Sequence, residues 1–353
     1  MNIEWKKAVL MLGVLLALGC ELHQPISIRT RLTQGIAPAL DTSSIVEMPV
    51  GKKVHGGIKV GIIDIHGLMV NANRTGPMSL GGNPVADFRA KLDYARRHRD
   101  IAALVIRVNS PGGAVSACDV MREDLKRFQQ DTGRPVVVSL LDVGTSGAYY
   151  LATTGDLIVA HPTTITGGIG VVFNQYQMSG MAEKNDLLCE PIRAGKAIDV
   201  GSPFYKADAS LLTTKEFEQR MEEGGQILNR IATQFQQQFH QRIEEGRGIQ
   251  LSGKEEYLDG RILTASTALE AGLVDSIGYL DDALRIAASQ VSCSAAPVAV
   301  LLHRCADRGD TPYAITPADP LQHDLFPIDI PGLSREELPL FLYLWQPNPT
   351  YAR

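Results

Sequence analysis

The chain predicts an α/β protein built on a mostly parallel sheet, and three observations carry that prediction. Apolar runs of strand length alternate with stretches of helical period through residues 57–290. Two of these runs, Ile101 to Val108 and Val136 to Val143, each pass through a Gly-containing turn into a helix-like pattern. The composition, 44% apolar and 21% charged, is ordinary for a globular protein with a sizeable core. Strands and helices that alternate at this length imply right-handed βαβ units around a parallel sheet.

The first element is not part of that fold. Lys6 and Lys7 precede the apolar run Ala8 to Gly19, which ends at Cys20. Such a run has the length of a signal-peptide core and is too short to span a bilayer as a helix. The ending Leu16-Ala17-Leu18-Gly19-Cys20 resembles a bacterial lipobox, in which Cys20 is acylated and becomes the mature N-terminus. The simpler alternative is an ordinary signal peptide or short anchor in which Cys20 is incidental. Both readings export the body to the cell envelope, the first holding it on the membrane through lipid. Residues 21–56 are polar, contain Pro and lack a clear period, so they read as a tether.

The core begins at the strand-like run Ile58 to Ile65. Val85, Phe88, Leu92 and Ala95 recur at helical spacing over 85–97, and strand 101–108 follows. Val115, Cys118, Met121, Leu125 and Phe128 mark the next helix face. Strand 136–143, a short helix over 146–152 and strand 156–160 repeat the order. Extended runs are expected at 167–173 and 187–192, and a long helix at 215–245 that Gly224 and Gly225 weaken or break. A last helix covers 281–290, and the Pro-rich remainder, 291–353, reads as an extended arm with one apolar segment, Phe341 to Trp345.

Charge and cysteines narrow the function. A net charge of −5 offers no broad basic field for nucleic acid. Export permits disulfides, and Cys293 and Cys305 lie close enough in sequence to pair. Cys118 and Cys189 fall on apolar runs and read as buried small hydrophobes. No Cys and His spacing suggests zinc, and neither a metal nor an organic cofactor is implied.

Two loops carry the chemistry. Asn109-Ser110-Pro111-Gly112-Gly113 lets a main chain approach a substrate with no side chain in the way, and it exposes amide N–H groups. Thr145-Ser146-Gly147-Ala148-Tyr149-Tyr150 places a serine hydroxyl where a strand hands over to a helix. Ligands of α/β sheets bind at that carboxyl edge. A nucleophile beside backbone donors aimed at an oxyanion is the requirement of a serine peptidase. A helix N-cap is the bland reading of the same serine, and either loop alone is weak evidence.

Five further segments follow in order: Asp156 to Pro162, Thr166 to Val171, Gly195 to Pro203, Gly260 to Ala265 and Ala271 to Gly278. Together the series resembles the signal peptide peptidase A (protease IV) family over residues 57–290, in its half-length form. The resemblance implies a ClpP/crotonase-like fold with repeated β-β-α units and a long C-terminal helix. It implies a Ser–Lys dyad enzyme that degrades hydrophobic peptides, including cleaved signal peptides, at the membrane. Ser146 is then the nucleophile, and the amides of Gly113 and Gly147 form the oxyanion hole. Half-length members assemble as rings in which neighbouring subunits complete each site, so the resemblance also implies a homo-oligomer.

One position departs from the family. Its pattern is Gly-x-x-Lys-Asp before a Gly-Ser-Pro-like ending, and here the lysine slot holds Ile198, between Gly195 and Asp199. Isoleucine cannot accept a proton, and loss of one catalytic member costs on the order of 10⁴ to 10⁶ in rate. In an extended strand Lys196 would share a face with Ile198 at about 6.5 Å along the chain, and its long stem makes it the candidate displaced base. A solvated surface lysine is the alternative. His161 is a weaker candidate, the other histidines read as surface or packing residues, and Asp142 and Asp199 as loop fixers.

Three functions stay open: a peptidase with a relocated base, a pseudopeptidase that binds hydrophobic peptides, and crotonase-type thioester chemistry. The export signal and the Ser-Gly-Ala-Tyr-Tyr turn favour peptide work over the third. The apolar segment of the arm is expected either on its own core, across a subunit boundary or on the peptide groove.

Overall fold

The eighteen strands and helices among the described residues do not form one alternating series, because the sheet is entered and left by strands far apart in sequence. In chain order the elements are β1 (Ile45–Val50), β2 (Ile58–His66), α1 (Pro84–Arg97), β3 (Ile101–Ser110), β4 (Gly112–Ala114) and α2 (Val115–Thr132). Then come β5 (Val136–Thr145), α3 (Gly147–Ala152), β6 (Leu157–Ala160), β7 (Ile165–Gly167), α4 (Ser179–Lys184) and α5 (Thr214–Arg247). The series closes with β8 (Ile262–Thr264), α6 (Ala265–Glu270), β9 (Ser276–Ile277), α7 (Leu280–Val291), β10 (Pro297–Arg304) and β11 (Leu342–Leu344). The computed structural model describes residues 44–51, 57–71, 83–174, 178–186, 194–195, 197–202, 214–249, 255–292, 296–304 and 342–344.

The main sheet runs β1-β10-β2-β3-β5-β6-β9. From β10 to β9 every neighbouring pair is parallel, β1 is antiparallel to β10, and off this path β7 pairs parallel with β5 and antiparallel with β8. The α/β class expected from the sequence is what the chain adopts. Strands covered on both faces read as continuous apolar runs, and alternation divides those runs between two cores. Ile63, Leu104, Ile106, Val138 and Leu140 face one side with Phe88, Leu125, Phe128 and Tyr149. Val60, Ile62, Ala103, Val105 and Val137 face the other, against Leu280, Ala283, Leu284 and Ala287 of α7.

Local chemistry sets the helix ends. Asn83 caps α1, its side-chain oxygen accepting from the amides of Val85 and Ala86, with Pro84 at the first position. α2 stops at Gly133, whose φ of 64° is the left-handed conformation that glycine adopts without strain.

Several expectations shift. β1 lies in the stretch read as tether and β10 in the stretch read as arm, yet both are strands of the main sheet. The Val298 to Leu302 run of β10 supplies the apolar side chains that a Pro-rich composition masked, and it lies beside β2. The extended run expected at 167–173 is not a strand: β7 precedes it and ends at Gly167, where Gly167 and Gly168 take φ of 80° and 63° and turn the chain. α5 passes unbroken through Gly224 and Gly225. Each glycine costs a helix about 1 kcal/mol, and the Glu, Gln, Arg, Leu and Met around them are good helix formers. Cys118 is fully buried, as its place on the apolar stripe suggested. Cys20, Cys189, Cys293, Cys305 and the run 187–192 lie outside the described residues.

Candidate active site

The two loops singled out from the sequence leave the carboxyl ends of neighbouring strands. β3 and β5 are adjacent and parallel, with Ser110 opposite Gly144 after a shift in register. The next residues of each strand are therefore side by side, and β4 packs directly on α3. The structure thus brings the Gly112–Gly113 loop to the start of the helix that follows Ser146.

Ser146 itself is strained. Its φ of 52° and ψ of −117° lie outside the regions that residues with a side chain prefer. Such a conformation costs about 1–3 kcal/mol and persists where surrounding structure imposes it. The Ser146 amide donates to the Gly167 carbonyl at 2.8 Å, and the Tyr150 amide donates to the Ser146 carbonyl at 2.8 Å. Gly168 makes room from the other side, since a Cβ there would lie 3.4 Å from the Ser146 nitrogen. Thr166 ties β7 to β5 by donating to the Gly144 carbonyl at 2.7 Å.

The serine hydroxyl is buried and has no hydrogen-bond partner among the described residues. Ser146 is 1% exposed. The Thr145 hydroxyl is in the same condition. A buried hydroxyl left unpaired is costly, by about 1–3 kcal/mol. Such a group is open to a water, a ligand or a catalytic partner.

The Gly loop is held as tightly. Met69 donates to the Gly112 carbonyl and accepts from the Ala114 amide, both at 2.9 Å. Within a strand the amide and carbonyl of one residue point to the same side, and successive residues alternate. The N–H and C=O of Gly113 are consequently turned to the opposite edge. Only glycine fits there, because a Cβ would come within 2.0 Å of the Met69 carbonyl oxygen. Ser110 braces the turn by donating to the Gly67 carbonyl at 2.7 Å and accepting from the Gly112 amide at 3.1 Å. Asn109 does the same for β5, accepting from the Val143 amide and donating to Asp142, which fixes the loop as expected.

Sequence reasoning had no role for Tyr149 and Tyr150 beyond motif membership. Both are anchors of the six-residue helix α3. Tyr149 donates to the Leu273 carbonyl at 2.7 Å and Tyr150 to the Asp119 carboxylate at 2.6 Å. Burial, with that donation to Asp119, pushes the Tyr150 phenol up to about 12. The signal was available, since two adjacent aromatics with hydroxyls project from a short helix in different directions.

The base position is a different case. Ile198 sits in a turn and is 72% exposed, so it does not share the buried environment of Ser146. The turn is held by the Ser202 amide donating to the Asp199 carbonyl at 3.0 Å. Lys196 lies outside the described residues. His161 is engaged elsewhere: its Nδ1 pairs with the Thr163 hydroxyl at 2.8 Å and its ring meets Tyr279 edge-on at 5.0 Å.

A strained serine at a strand-to-helix turn, on an α/β fold whose next helix packs against a glycine loop, is an arrangement that acyl-transfer chemistry can use. Residues 128–294 match the family model described as peptidase family S49, a span that holds Ser146 and Ile198 but begins after the Gly112–Gly113 loop. The chain is 31% identical over 214 residues to the chloroplastic serine protease SPPA of Arabidopsis thaliana, covering 60% of this chain and 30% of that one. It is 26% identical over 227 residues to a putative signal peptide peptidase SppA of Enterococcus faecium, covering 64% of this chain and 62% of that one. It thus spans less than two thirds of the length of either relative. A solved structure, a variant of the 1510-N membrane-bound stomatin-specific protease, overlaps 66% of this chain and 85% of its own at 15% identity and a TM-score of 0.39. Residues 128–294 are thus similar to the S49 family of peptidases, and the chain to the signal peptide peptidase A proteins.

Proposed function

We propose that the chain is an exported serine endopeptidase that cuts hydrophobic peptides, such as cleaved signal peptides, with Ser146 as nucleophile. The observation that carries this reading is the Ser146 hydroxyl, buried, unpaired among the described residues and held at a strained turn beside the Gly113 loop. The hydroxyl attacks the scissile carbonyl, and the amides of Gly113 and Gly147 receive the developing negative charge. Lys196 is the proposed base. A lysine serves only when neutral, which requires burial to bring its pKa from about 10.4 to about 7–8.

A second reading is favoured by Ile198. With an exposed isoleucine in the family's lysine position, the groove can bind apolar peptides without cutting them. Anchorage through Cys20, a place in the cell envelope and a ring of subunits that shares site residues belong to the same proposal. No described helix is long and apolar enough to cross a membrane.

The test is hydrolysis of a quenched hydrophobic peptide by the parent, Ser146→Ala and Lys196→Ala proteins. Turnover that vanishes in both variants supports the peptidase with a relocated base. Saturable peptide binding without turnover in the parent establishes the second reading instead.

A further inference from the structure

The edge of the Gly loop is already occupied. β11 (Leu342–Leu344) pairs antiparallel with β4, with Leu342 opposite Ala114, Tyr343 opposite Gly113 and Leu344 opposite Gly112. It also packs against α3, the helix that begins immediately after Ser146. The N–H and C=O of Gly113 face away from Met69 and therefore toward the backbone of Tyr343. That is the amide assigned above to the scissile carbonyl.

We propose that the segment around Leu342–Leu344 is a resident pseudosubstrate, an apolar strand of the chain's own C-terminal arm that fills the peptide groove at Gly112–Ala114. The inference rests on the groove reading of this loop, but not on its being catalytic. Addition of an extended segment to an open strand edge draws its affinity from main-chain hydrogen bonds. The sequence at this edge, Phe341-Leu342-Tyr343-Leu344-Trp345, is of the chemical class proposed for the substrate. Arg304, at the end of β10, and Leu342 bracket residues 305–341, so the occupant is tethered. A tethered segment has an effective concentration on the order of mM, so one with an intrinsic Kd of about 0.1 mM weakens apparent peptide affinity by about tenfold.

The experiment compares the full chain with a chain ending at Leu340, and with full-length Tyr343→Pro, which removes a backbone donor from the strand. Amide hydrogen exchange is read at Gly113, the one amide of β4 that faces β11, and binding of a labelled apolar nonapeptide is measured in parallel. Exchange at Gly113 is expected to quicken by about tenfold in both variants, with β3 and β5 unchanged. The nonapeptide is expected to bind about tenfold tighter to both. Unchanged exchange at Gly113, or unchanged nonapeptide affinity, overturns the proposal. Because neither readout needs turnover, an inactive chain that shows both changes would sink the peptidase reading and leave this one standing.

Discussion

The Ser146 amide donates to the Gly167 carbonyl, and this bond ties the strained residue after β5 to the last residue of its neighbour β7. Strain and an unpaired hydroxyl are concentrated in one residue, and the surrounding packing carries the cost.

Removing that cost should stabilise the protein while ending its chemistry. Ser146→Ala deletes the unpaired buried hydroxyl but keeps the strained φ, and a gain of about 1 kcal/mol is expected. Ser146→Gly also relieves the positive φ, which offsets the greater freedom of glycine in the unfolded chain. Urea unfolding should rank both variants at or above the parent. Destabilisation of either by more than about 1 kcal/mol would show that the hydroxyl is paired in solution.

Gly113→Ala should be the reverse case. The added methyl would meet the Met69 carbonyl at 2.0 Å, so the loop must move off its bracing bonds. A loss of about 10²-fold or more in peptide turnover is expected, from displacement of one oxyanion donor. Turnover within about threefold of the parent would remove Gly113 from the site.

Tyr150 makes stability depend on pH at the alkaline end. Its folded pKa of about 12 lies above the unfolded value of about 10, so the folded chain holds the proton more tightly. The contribution is fully present below about pH 10 and is lost between about pH 10 and 12, on the order of 2 kcal/mol. Tyr150→Phe should shrink the loss of stability seen by urea unfolding between about pH 9 and 11.5. An identical loss in the variant would mean that the phenol is not buried against Asp119.

Restoring lysine at 198 should not by itself restore neutral-pH activity. At a position 72% exposed, a lysine keeps its ordinary pKa near 10.4 and stays charged at pH 7. In a Lys196→Ala background, Ile198→Lys is expected to give turnover that rises with a midpoint above about pH 9. A midpoint near about 7 would show that another chain buries this turn in the working assembly.

Much of this was legible in the sequence because strand, turn and helix each leave a local signature. The runs at 101–108 and 136–143, and the turns after them, became β3, β5 and their loops almost residue for residue. The strand of Gly113 and the helix that begins at Gly147 pack together because neighbouring parallel strands end at the same edge. What was not legible was non-local. β1 joins β10, and β11 joins β4, through pairings across more than 200 residues that no periodicity records. The unbroken course of α5 through Gly224 and Gly225 was likewise set by its length and neighbours rather than by two residues.

The most direct test of the central claim is covalent labelling of the chain ending at Leu340 with a fluorophosphonate, followed by peptide mapping. The account predicts a single adduct on Ser146, formed faster than in the full chain and absent from Ser146→Ala. No adduct, or an adduct on another residue, would contradict the assignment of Ser146 as nucleophile.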